Sequence, residues 1–205
     1  MKIKEIIRHL EKQGEWVNRN LTRDHVLCGN LEKEIESVMI CWVATIDVIQ
    51  KVIDNHCQFI ITHENPFYAS STSLPTLIIE AQNKKLKLLN DHNITVYRCH
   101  DLWDLYPHYG VRDRWAKQLD LHFKENKLTS FLKISERFDM SVSELAQHIV
   151  DCIESYHEYG IEIIGNKDQQ VHCLGIGTGA CTDILEMYHL GADVCLVSDD
   201  GINNW

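Results

Sequence analysis

The chain is poor in residues that break or cross-link structure. Of its 205 residues, 3 are proline and 10 are glycine, too few for a collagen-like, low-complexity or linker-dominated protein. Positive charge is also scarce: 20 Lys and Arg face 30 Asp and Glu, a net charge of −10 with the 12 His neutral. Such a chain has no overall field drawing it to nucleic-acid phosphates or anionic lipid, so neither is expected as a general partner. No apolar stretch approaches the ~20 residues of a membrane span. The opening MKIKEIIRHLEKQ lacks the apolar core of a secretory signal. The 8 Cys, at 28, 41, 57, 99, 152, 173, 181 and 195, include no Cys-x-x-Cys pair, and Cys41 and Cys195 lie inside the apolar runs SVMICWVA and ADVCLV. That is the setting of buried free thiols, so a reduced, cytoplasmic protein is expected rather than a disulfide framework.

What is there is globular composition, 44% apolar and 24% charged, enough for one domain or two small lobes. Ile3, Ile6, Ile7 and Leu10 recur at helical spacing and predict an amphipathic helix over 2–13. A strand is predicted at 37–44, a helix at 46–56 and a strand at 58–62, a βαβ unit whose crossover implies parallel strands. A helix at 74–91, a strand at 94–98, helices at 111–119 and 141–156, and strands at 161–165 and 171–175 follow. Ser141 and Glu144 form a capping-box pattern at the start of the last helix.

The tail repeats the first unit. Residues 45–64, TIDVIQKVIDNHCQFIITHE, lie on 181–200, CTDILEMYHLGADVCLVSDD, at a displacement of 136 positions. Asp47 meets Asp183, Ile60-Ile61 meets Leu196-Val197, and His63-Glu64 meets Asp199-Asp200. Each copy runs helix, link, apolar strand, then two residues able to bind metal. The expected fold is therefore α/β, a layered fold of two related lobes with mostly parallel sheets, the lobes covering roughly 1–125 and 126–205. Unrelated βαβ units can also share this pattern. In open α/β sheets ligands sit beyond the carboxyl ends of strands, where both polar pairs fall.

Two strand ends carry the chemistry. FIITHENPFY leads an apolar strand into His63 and Glu64, and VYRCHDLWD leads another into His100, with Asp104 four residues later. If a helical turn follows His100, these two share a face. Imidazole with carboxylate suits Zn, Fe or Mn better than Ca. Either segment alone reads equally well as a solvated polar turn, and Asp101 and His108 could be solvated neighbours. Gly175-Ile176-Gly177-Thr178-Gly179 departs from the dinucleotide fingerprint and reads as a tight strand-to-helix turn. A thiolate nucleophile is not expected among the Cys, no G-x-S-x-G or Walker pattern occurs, and 69–73 reads as a flexible loop.

These segments together resemble the Nif-three-like dinuclear metal-centre family, also labelled GTP cyclohydrolase I type 2 homologues. The resemblance rests on the strand and helix of 38–53, on FIITHENPFY, on NITVYRCHDLWD with GVRDRWAKQLDL, and on LGIGTGACTDILEMYHLGADVCLVSDD. It implies a metal-dependent hydrolase with two divalent ions (Zn, Fe or Mn). His63 would bind one ion and Glu64, where most members have a second His, the other. Asp104 would be a third ligand, and His100 a ligand neighbour or proton-handling catalytic group. The substrate is a small molecule that the residues do not name. The alternative is a non-catalytic metal-binding scaffold or regulatory interaction protein. The family's ring-like homo-oligomers, commonly hexamers, make Trp16, Trp42, Trp103, Trp115 and Trp205 candidates for subunit contacts. Its last ligands, a His and a Glu, have no counterpart before Trp205, so a truncated chain with a partly occupied or open site is expected, and Asp199 and Asp200 are not assigned as ligands.

Overall fold

In the computed structural model, residues 1–67, 75–125, 127–179 and 182–197 are described. The chain divides into two compact units, Met1–Trp103 and Asp104–Trp205.

The first unit opens with helix α1 (Ile3–Gln13), whose Ile3 and Ile7 are buried and whose Glu5 carboxylate accepts the Lys2 N–H at 2.9 Å. A four-stranded sheet follows, in the order β1-β4-β3-β2, from β1 (His25–Cys28), β2 (Met39–Cys41), β3 (Phe59–Thr62) and β4 (Thr95–Arg98). Strands β2, β3 and β4 run parallel, and β1 closes one edge antiparallel. Helices α2 (Ile46–Asp54) and α3 (Thr76–Asp91) make the crossovers. The Thr45 hydroxyl starts α2 by accepting the Val48 N–H at 3.2 Å.

Phe59, Ile60, Val96 and Tyr97 are all fully buried. Successive strand side chains point to opposite faces, so both faces of β3 and β4 are covered, which is why these strands read as unbroken apolar runs. One core gathers Ile49 and Val52 of α2, Leu89 of α3, Ile60 and Val96. Strand β1 was not foreseen: it is four residues long, half-buried, and its register slips between Val26 and Cys28, so it shows no clean alternation. Gly29 follows it at φ +102°, where a Cβ would stand 2.5 Å from the Thr95 Cα. Only glycine fits there.

The second unit has a three-stranded sheet, β5 (Leu132–Ile134), β8 (Leu174–Gly177) and β9 (Val194–Leu196), with β8 central, parallel to β9 and antiparallel to β5. A short ribbon pairs β6 (Met140–Ser141) with β7 (Gln170–Val171). Helix α4 (Asp101–Asp104) crosses the division between the units, and α5 (Val111–Gln118), α6 (Val142–Ile153) and α7 (Ile184–His189) complete the set. The core joins Ala116 and Leu119 to Leu145, Ile149, Val171, Leu174 and Ile176. The Ser141–Glu144 capping box forms as predicted. Helix α7 then β9, parallel to β8, repeats the order of α2 then β3, parallel to β2.

The strand expected at 161–165 is absent. These residues are irregular, Ile164 is 73% exposed, and they line an apolar cavity of about 770 Å³ with α6 and β9. Their β-branched composition suits a strand, but no strand among the described residues pairs with them. The glycines of the G-x-G stretch have a packing role: a Cβ on Gly175 would lie 2.9 Å from the Met187 Cβ, and one on Gly177 2.8 Å from the Thr182 Oγ1. Gly175 lets α7 lie against β8, and Gly177 leaves room for Thr182, just before that helix. The loop expected at 69–73, Cys181, Asp199, Asp200 and Trp205 lie outside the described residues.

Candidate metal centre

Strands β3 and β4 pair in register up to Thr62 opposite Arg98. The residues after them therefore leave the sheet at the same level. Main-chain bonds continue past the strand ends: His63 N–H donates to Cys41 O at 3.1 Å, Glu64 N–H to Trp42 O at 2.7 Å, and Cys99 N–H to Thr62 O at 2.9 Å. This holds the His63 and His100 rings stacked at 4.4 Å, 20° from parallel. One turn of helix carries the chain from His100 to Asp104. His63, His100 and Asp104 are all buried, and one ligand atom from each lies within 4.8 Å of the others.

The turn that presents His100 is clamped from the segment before β1. Asp24 is buried, and its two carboxylate oxygens accept the backbone N–H groups of His100 and Leu102. Asp101 accepts the Arg23 N–H at 3.0 Å, the Arg23 guanidinium at 3.1 Å and the His100 Nδ1 at 2.9 Å. Asp101 is therefore a buried second carboxylate that orients His100, not a solvated neighbour. With Nδ1 bonded to Asp101, Nε2 is the atom that His100 could offer a metal.

Burial, then the neighbouring His100, push the His63 pKa down to about 4, against the pull of Glu64. The imidazole is neutral near pH 7 and its lone pair can go to a metal. Burial raises the Asp101 carboxyl, but the hydrogen bonds from His100 and Arg23 outweigh it and hold the group well below the usual range. Burial pushes the thiols of Cys28, Cys41, Cys152 and Cys195 up, which fits free thiols without nucleophilic character.

Glu64 stands at the rim with its side chain 39% exposed. One oxygen pairs with Arg98 at 2.9 Å; the other lies 3.5 Å from the His100 Nε2 and 3.9 Å from the His63 Nε2. Arg98 also donates to the His63 carbonyl at 3.1 Å. The structure thus brings all four predicted residues to one place, three of them as a donor set and Glu64 beside it. Two imidazoles and a carboxylate fit Zn, Fe or Mn. Sequence reasoning missed Asp24, Arg23 and Arg98. The signal available was Arg98 itself, a charge closing an otherwise apolar strand.

A family model described as Duf34/NIF3 (NGG1p interacting factor 3) matches residues 1–202. The chain belongs to the Duf34/NIF3 family. A curated relative, "GTP cyclohydrolase 1 type 2 homolog" of Clostridium acetobutylicum, is 23% identical over 183 residues, covering 85% of this chain and 66% of its own length. The chain thus spans just under two thirds of that relative. Among solved structures, a Bacillus cereus protein related to NIF3 aligns with TM-score 0.74 at 15% identity, over 97% of this chain and 82% of that one. Staphylococcus aureus protein SA1388 aligns with TM-score 0.70 at 19% identity, over 97% and 80%.

Proposed function

We propose that this protein binds a divalent metal through His63, His100 and Asp104 and uses it for hydrolysis of a small-molecule substrate. The observation carrying this is the burial of three metal-type donors within 4.8 Å of one another. Folding has brought polar groups out of water at a strand edge, a cost that coordination offsets. A metal there would lower the pKa of bound water and polarise a substrate oxygen. The chain's own residues divide the remaining work. Asp101 fixes the His100 tautomer, and Asp24 fixes the turn that carries both. Arg98 holds the His63 carbonyl and the Glu64 carboxylate together, and Glu64 would hold a second ion. In this reading His100 serves as a ligand.

The supporting measurement is metal content after supplementation with Zn, Mn or Fe, followed by a screen of phosphoesters, cyclic amides and nucleotides. Metal-dependent turnover abolished in His63→Ala supports the reading. Metal content below about 0.1 equivalents overturns it, since three buried donors should retain an ion through purification.

The non-catalytic scaffold reading is favoured by one different feature. Leu185, Tyr188 and Leu190 around α7 are 71%, 69% and 47% exposed, an apolar surface suited to self-association into a homo-oligomer. Bound metal without turnover, in a protein that sediments as an oligomer, supports it. No helix among the described residues is long and apolar enough to cross a membrane.

A further inference from the structure

The ring column at the site does not end at His63. The Trp42 indole stacks on the other side of the imidazole at 4.1 Å and 20°, making a continuous Trp42–His63–His100 stack. Yet Trp42 is 60% exposed. One indole face is covered by His63, so the open surface is the opposite face and the ring edges. The backbone that carries it is tied down: the Trp42 carbonyl accepts the Glu64 N–H at 2.7 Å and the Thr62 hydroxyl at 3.3 Å. Ile40, two positions earlier along β2, is 72% exposed and adds apolar surface beside it.

We propose that Trp42 is the stacking platform for a planar heteroaromatic ring of the substrate, and that this ring is the recognised part of the substrate and not its reacting part. A flat indole face stacked on His63 beside a polar site favours a second flat π-system over an aliphatic group, because offset stacking adds attraction beyond area burial. Leaving so large an apolar surface in water next to the donor set is costly, and a stacked ring removes that cost. Distance assigns the division of roles. A ring on the outer face stands one further stacking distance away, roughly 8–11 Å from the His63 imidazole. What reaches His63, His100 and Asp104 must then be a substituent of the ring. This rests on the metal-site reading above and narrows its substrate class to an aromatic anchor carrying a metal-seeking arm.

The test is calorimetric titration of the full chain, metal-free and zinc-loaded, with adenosine, guanosine, uridine, nicotinamide and ribose. At least one ring compound is expected to bind, and ribose is not. Trp42→Phe should keep most of that affinity, and Trp42→Leu, which keeps apolar bulk without a ring, should weaken it about tenfold or more. Circular dichroism checks that both variants fold. Binding of the ring compounds to Trp42→Leu as tightly as to the wild type, or no binding by any of them, overturns the proposal. So does a Trp42→Leu protein whose sedimentation changes while ring binding does not, which would make Trp42 a subunit contact. The two readings fail separately: ring binding without metal retention sinks the hydrolase and leaves the platform, and metal retention without ring binding does the reverse.

Discussion

The His100 Nδ1 donates to the Asp101 carboxylate at 2.9 Å, between adjacent residues of the same turn. This short-range bond sets which nitrogen of His100 faces His63 and Asp104. Removing it should loosen the ring without unfolding the protein. Asp101→Asn is expected to weaken zinc binding by about 10–100-fold, read by competition against a chromophoric chelator. Equal affinity in the variant would show that Asp101 does not orient the ligand.

Asp24 has a heavier structural task. It is buried and accepts two backbone N–H groups of the His100 turn. Asp24→Ala leaves both donors without that partner, and a stability loss of about 2–4 kcal/mol is expected. Urea denaturation measures it; a loss below about 0.5 kcal/mol, typical of unremarkable surface changes, would contradict the clamp.

Asp113 offers a pH test away from the metal centre. Burial raises its carboxyl, but the Arg112 guanidinium, the His108 N–H and Lys133 together hold it below its ordinary value. Because the folded-state pKa is depressed, its contribution is complete above the unfolded value of about 3.9 and is lost as pH falls through the folded one. Urea midpoints should therefore fall on acidification below about pH 4, and Asp113→Asn should flatten that fall. Parallel profiles for the two proteins would rule Asp113 out as a source of acid sensitivity.

Gly175 tests the packing of α7. A Cβ there meets the Met187 side chain at 2.7–3.0 Å, so Gly175→Ala should cost about 1–3 kcal/mol by overpacking. Combined with Met187→Ala, the substitution should cost less than the two single changes added together, as thermal or urea unfolding would show. Strict additivity would place the two residues apart.

Much of the fold was legible locally. Unbroken apolar runs located β3 and β4, which are covered on both faces, and helical patterns located α1, α2, α3 and α6. The strand ends also announced His63, Glu64, His100 and Asp104, since charged and imidazole groups following an apolar run must lie beyond the sheet's buried core. The irregular 161–165 run misled for the same local reason: composition records what a segment could pair with, not whether a partner strand stands beside it.

What the sequence by itself determined is the inventory: acidic charge, parallel βαβ units, two polar strand ends and their metal-type donors. Tertiary structure decided how those donors are used. The register of Thr62 opposite Arg98 sets the two strand ends level and stacks His63 on His100. Asp24, distant in sequence, fixes the turn, and Trp42 closes the ring column at 4.1 Å. These are pairings between segments far apart in the chain. Local propensity carries no information about them, because their energy exists only once both segments are packed against the same sheet edge.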